Sequence, residues 1–266
     1  MKKIIALVMA VAMIASVAML AGCGNSNKDA AKATEAKAAK LTMATNATFP
    51  PYEYKEGEEF VGIDVEIAKA IADKLGMELE IADIEFDSII TGVQTGKYDM
   101  GMAGMTVTDE RKQSVDFSDS YATGIQAVIV KDGSDIKSAD DLLAEGTSYK
   151  VGVQLSTTGD FLIGEDYAKA GKEESLITKF QSGNDAVSAL ASGKVDAVVI
   201  DNEPAKSYVA ATQGLQILDS KYAEEDYAIC FAKNNTELKD KVNGALKELI
   251  ADGTVKNIID KYIKAN

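Results

Sequence analysis

A pattern that occurs twice constrains this chain more than any other. Thr95-Gly96-Lys97-Tyr98-Asp99 runs into the apolar stretch 100–103, and Ser192-Gly193-Lys194-Val195-Asp196 runs into the apolar stretch 197–200. Each reads as a helix stopped at glycine, a polar turn and a short buried strand. Counted from the two aspartates, Gly104 and Asp201 hold the same place just past the strand. Open α/β sheets bind ligands at the carboxyl ends of their strands. The echo therefore nominates residues 103–106 and 201–204 as loops of two comparable half-structures. The alternative is an ordinary helix-to-strand turn met twice by chance.

The segments around the echo alternate strand-like and helix-like patterns, as an α/β fold does. Residues 41–45 read as a first strand and 46–51 as a loop. Ile67, Ile71 and Leu75 share one helical face, with Asp64 placed to cap that helix and Gly76 to end it. Asp87 and Gly96 bracket a second such helix. The body from residue 41 to 266 has the length of one large or two small domains.

Before the body stands a different kind of sequence. Lys2 and Lys3 precede an apolar run, 4–20, and then Ala21, Gly22 and Cys23. This layout predicts a secretory signal peptide over 1–22, although a run of this length also meets the lower limit for a membrane-spanning anchor. A cysteine directly after small residues resembles the lipobox of bacterial lipoproteins, which implies a lipidated Cys23. Residues 24–40 are built from Ala, Lys, Asn, Thr and Ser, with nothing large to bury. They predict a flexible spacer between a membrane anchor and the body, so the protein is expected outside the cytoplasm.

Composition removes several functions. The formal charge is −14 and there is no histidine, so binding to a phosphate backbone is not expected. Cys230 is the only cysteine apart from Cys23, which leaves no internal disulfide and no Cys/His metal cluster; it reads as a small buried side chain.

Three clusters carry chemistry. Asn46-Ala47-Thr48-Phe49-Pro50-Pro51-Tyr52 places two prolines beside aromatics directly after the first strand, stiffening that loop. Residues 103–111 combine Gly104, Thr106 and Arg111, the only arginine in a chain whose other basic side chains are lysines. A planar fork of donors suits a carboxylate, while a surface pair with Asp109 or Asp116 would contribute little. The third cluster is split between Ser156-Thr157-Thr158-Gly159, a strand-to-helix junction rich in anion-binding N–H groups, and Asp201-Asn202-Glu203-Pro204, which supplies a carboxylate at a strand end.

Phe49-Pro50-Pro51-Tyr52, Val61-Gly62-Ile63-Asp64-Val65-Glu66, Gly104-Met105-Thr106-x-Thr108-x-Glu110-Arg111 and Val115-Asp116-Phe117-Ser118 occur in this order. Together they resemble family 3 extracellular solute-binding proteins, the amino-acid receptors of bacterial ABC importers. The resemblance implies a two-lobed α/β fold of the type II periplasmic-binding-protein kind with two hinge crossovers. Lobe one would comprise 41–122 and 227–266, and lobe two 126–221. It further implies that Arg111, with the Thr106 and Thr158 backbone N–H groups, grips an α-carboxylate. Asp201 and the Ala103 carbonyl would take the α-ammonium, and Phe49 and Phe86 would sandwich the side chain. Gly104 stands where some members carry serine, and Asn46 where members selecting cationic side chains often carry Asp. Asn46 with Gln154 therefore points to glutamine or another polar amino acid, with arginine and cystine left open. The expected partners are an ABC permease and the membrane, the expected state is a monomer, and no cofactor is implied. An exported dehydratase-like enzyme on the same scaffold would need a positioned acid, for which Glu203 is the available carboxylate beyond Asp201. An exported sensor or adhesin is the third reading.

Overall fold

The computed structural model describes residues 38–219 and 222–264. The signal peptide, Cys23 and the spacer up to residue 37 lie outside the described residues. Two sheets organise the body. The first takes strands from both ends of it, in the spatial order Glu78–Asp83, Lys40–Thr45, Met100–Gly101, Cys230–Ala232 and Val115–Phe117. Its first three members run parallel, and Cys230–Ala232 is antiparallel to both neighbours.

The second sheet orders Ile177–Phe180, Val151–Gln154, Ala197–Asp201, Ala122–Lys131 and Leu215–Ile217. Ala197–Asp201 and Val151–Gln154 are buried along their whole length. A strand covered on both faces needs such a continuous apolar run. The long strand Ala122–Lys131 leaves the first half of the molecule, and Ala223–Tyr227 returns antiparallel beside its start, with Glu225 opposite Gly124 and Tyr227 opposite Ala122. The molecule is thus two-lobed, with two chain crossings lying side by side as a ribbon.

Helix Ile63–Leu75 buries Ile63, Ile67 and Ile71 in the first lobe, against the closing helices Thr236–Ala251 and Thr254–Tyr262. Gly76 ends it in the left-handed conformation, as its position predicts. Its start differs from expectation. Gly62, not Asp64, is the cap residue. Gly62 has φ 121°, and a Cβ there would meet the Tyr52 carbonyl, so only glycine lets the chain turn into the helix here. The Ile63 and Asp64 N–H groups are satisfied by the Pro51 and Tyr52 carbonyls at 3.0 and 2.9 Å. Asp64 lies within the helix, and its carboxyl turns inward, where it accepts from the Gly104 N–H. Asp87 likewise lies inside its helix, Phe86–Gln94, behind Glu85.

The buried stretch 100–103 is strand only at Met100–Gly101. Gly104 then takes a left-handed φ of 52° with Phe49 packed over it, and the chain swings toward the space between the lobes. Cys230 is buried, its sulfur lying where a side chain on Gly101 would stand.

Candidate functional site

The two arms of the echo meet across a narrow cleft of about 310 Å³ out to its mouth. Asn46 and Phe49 follow the first strand, Phe86 opens its helix, and 103–106 follow Met100–Gly101. Arg111 sits in the short helix Asp109–Ser114, whose start is fixed by the Thr108 hydroxyl accepting the Arg111 N–H at 3.1 Å. The opposite wall carries Thr158 at the start of helix Thr158–Lys169 and Asp201 at the end of its strand. Asn46, Phe49, Phe86, Ala103, Gly104, Thr106, Arg111, Thr158 and Asp201 all line this one cleft, joined by Glu53, Gln154 and Thr157.

Arg111 is buried, not a surface partner of Asp109 or Asp116, which instead face Lys112 and Lys233. Its guanidinium donates to the Thr106 carbonyl at 2.8 Å and, across the cleft, to the Ser156 carbonyl at 3.0 Å. The Phe86 ring lies beneath it, 5.4 Å from the guanidinium carbon, a cation–π geometry that fixes the fork without using its donors. Ser156 holds a left-handed φ of 63°, rare for a residue with a side chain. The Asp160 carboxylate accepts its N–H at 2.9 Å and holds that turn. Burial lowers the Arg111 proton affinity, and the carboxylates of Glu225 and Asp201 act against that shift.

Asp201 is the counter-charge on the other lobe. Burial pushes its carboxyl up to about 7, and the charge of nearby Glu225 pushes the same way; the Tyr227 hydroxyl and the Gln126 amide oppose them. Tyr227 donates its hydroxyl directly to Asp201.

The far end of the cleft is amide-lined. Gln154 donates across the cleft to the Asn46 side chain at 3.0 Å and to the Gln181 carbonyl at 3.0 Å. Asn46 donates to the Ile84 carbonyl at 2.9 Å.

Several members of the site are not signalled by the motifs. Glu53 is buried in the cleft wall beside Asp64, with one carboxyl oxygen lacking any hydrogen-bond partner. Burial and the Asp64 charge raise its proton affinity well above that of an ordinary glutamate. Asp64 accepts from the Gly104 N–H and the Tyr121 hydroxyl, both at 2.8 Å, and burial pushes it up to about 6. Nothing in Tyr52-Glu53-Tyr54 distinguishes this acid from a solvated one. Glu225 is masked differently, by its exposed neighbours Glu224 and Asp226. Only period-two alternation along Ala223–Tyr227 shows that 223, 225 and 227 face inward. Glu203 accepts from Lys206 and lies outside the cleft lining. Among the described residues, no group of three Cys, His, Asp or Glu side chains is placed to hold a metal ion.

A buried cation, Arg111, and a buried carboxyl, Asp201, thus line one cleft together with Phe49 and Phe86. The chain belongs to the bacterial extracellular solute-binding proteins, family 3, whose model matches residues 41–265. It is 37% identical over 270 residues to the arginine-binding extracellular protein ArtP of Bacillus subtilis, covering 98% of each chain. It is 31% identical over 278 residues to that organism's ABC transporter glutamine-binding protein GlnH, covering 99% of this chain and 98% of the relative. A solved structure of an ancestral arginine-binding protein bound to arginine superposes with a TM-score of 0.78 at 42% identity, covering 85% of this chain and 98% of that one. The protein is an extracytoplasmic amino-acid-binding component of an ABC importer, not an enzyme.

Proposed function

We propose that the cleft takes one polar amino acid by its charged backbone groups and reads its side chain at the Asn46 end. Arg111, with the Thr106 and Thr158 N–H groups, receives the α-carboxylate. Asp201, the Ala103 carbonyl and Gly104 receive the α-ammonium. Phe49 and Phe86 flank the aliphatic part of the side chain. The observation that carries this reading is the burial of Arg111 and Asp201 on facing walls, since neither charge is tolerated inside a protein without a partner. The amides of Asn46 and Gln154 suit glutamine or another neutral polar side chain. A second reading, a cationic side chain such as that of arginine, draws on the unpartnered oxygen of Glu53 and on the arginine-binding relatives.

In the same proposal, Cys23 is lipidated after cleavage of residues 1–22 and residues 23–40 tether a monomer to the membrane. The lobes divide as 41–122 with 227–266 and 126–221, and a permease receives the cargo.

Calorimetric titration of residues 24–266, stripped of bound ligand by unfolding and refolding, against the twenty amino acids and cystine tests the reading. Saturable binding of glutamine is expected, and preference for arginine over glutamine would select the Glu53 reading. Removing one partner of a buried charge pair costs about 3–5 kcal/mol, so Arg111→Ala should weaken binding at least a hundredfold while the protein stays folded. Heat signals absent for every ligand, or an Arg111→Ala chain that binds normally, would reject the assignment.

A further inference from the structure

Glu225 belongs to neither wall of the cleft. It lies on the returning crossover strand, buried, and its carboxylate accepts the hydroxyl of Thr106. That hydroxyl in turn accepts from Thr158 at 2.8 Å. A chain of hydroxyls thus runs from the second lobe, through a first-lobe loop, to the crossover. The other Glu225 oxygen is buried without a hydrogen-bond partner. Gln126, opposite Asp201 on the adjacent strand, lies beside both carboxyls without a well-formed hydrogen bond to either.

The charges facing Glu225 come from every element around it. Arg111 from helix Asp109–Ser114 attracts it, and Asp201 from its strand end repels it. Tyr227 follows two residues on along its own strand, while Glu224 and Asp226 alternate to the exposed face. Burial raises the Glu225 proton affinity and Arg111 lowers it.

Building on the receptor reading, we propose that Glu225 is an affinity-limiting residue. Its carboxylate and the ligand's α-carboxylate draw on the same guanidinium and the same threonine pair, so bound cargo is held less tightly than the clamp alone would hold it. Two anions at one cation favour protonation of one of them. Glu225 sits on Thr106 and beside Arg111, the groups assigned to the α-carboxylate, so its charge repels that pole of the zwitterion and also raises the proton affinity of Asp201. Both effects oppose binding, and both vanish when Glu225 is neutral. A receptor that must surrender its cargo to a permease gains from a clamp that is not too tight.

The test is titration of the full chain in detergent with L-arginine and L-glutamine at pH 5.5, 7.0 and 8.5, for wild type and Glu225→Gln. The glutamine keeps an acceptor for the Thr106 hydroxyl and removes the charge. It should bind roughly three- to thirtyfold more tightly than wild type at pH 8.5, the scale of about one proton-affinity unit. The gap should narrow as the pH falls toward 5.5, because protonation of the wild-type Glu225 carboxylate, which burial favours, removes its charge. Glu225→Met, of similar length and uncharged, should move affinity in the same direction if the glutamine chain does not fold. Equal or weaker binding by these variants at pH 8.5, or a gap independent of pH, overturns the proposal while leaving the receptor reading intact. Failure of the wild type to bind either amino acid removes the receptor reading and this proposal together.

Discussion

Asp201 sets the polarity of the site, because its charge depends on what stands beside it. An ordinary aspartate ionises near 3.9, whereas burial and Glu225 hold this one up to about 7. A raised folded-state value for an acid means that ionisation works against folding as pH climbs from about 4 to 7. An α-ammonium in the cleft reverses this by favouring the carboxylate. Ligands that carry the ammonium should therefore lose affinity as pH falls from 8 to 5.5, relative to des-amino analogues with the same carboxylate. The repulsion between Glu225 and the carboxylate common to both ligands cancels from that ratio, and Glu225 enters it only by raising the proton affinity of Asp201. Calorimetric dissociation constants for the pair measure the ratio directly, and Asp201→Asn should flatten it. A ratio in wild type that does not move with pH would mean Asp201 does not meet the ammonium.

The crossover ribbon is the element that ties these residues together, and Gly124 shows how closely it is built. A Cβ at Gly124 would overlap the Tyr227 hydroxyl and ring, the same hydroxyl that reaches Asp201. Gly124→Ala should displace Tyr227, with an overpacking cost of about 1–3 kcal/mol. The expected melting temperature falls by roughly 3–10 °C, and the amino-acid affinity falls with it; an unchanged melting curve would show that the ribbon accommodates a methyl group. The sequence-to-structure relation differs from element to element for physical reasons. The echo foretells two strand ends that meet, because Gly-Lys-x-Asp and an apolar run are local features. Helix Ile63–Leu75 keeps the apolar face and the glycine stop that its spacing marks. The cap expected at Asp64 does not form, since Gly62 and the carbonyls of 51–52 take that role through a tertiary contact that periodicity does not encode, and at Asp87 the cap position falls to Glu85. The nine residues expected at the site line one cleft because the strand-end loops and one arginine mark most of them, Phe86 being reached through the family resemblance alone. Glu53 and Glu225 stay hidden, since a buried carboxyl and a solvated one look alike until the chain folds around them.

At the scale of the whole molecule, the lobes meet through a few polar contacts. Arg111 to Ser156, Thr158 to Thr106, Gln154 to Asn46 and Tyr208 to the Thr48 carbonyl all cross the cleft. Each such bond contributes a net ~1 kcal/mol, so a bound zwitterion that engages both lobes can decide between open and closed forms. In the proposed function the loaded body must also meet a permease in the membrane plane. Residues 24–40 span at most about 60 Å when fully extended, so a lipid on Cys23 would confine every binding event to a shell near the bilayer and raise the effective concentration of loaded receptor at its permease. Cys23→Ala removes the thiol that would carry the lipid. In fractionated cells the variant should leave the membrane pellet or accumulate as the uncleaved, larger chain, with amino-acid affinity unchanged in the purified protein, because residue 23 lies far along the chain from every cleft residue. A variant that is cleaved normally and remains in the pellet would show that something other than Cys23 holds the receptor to the membrane.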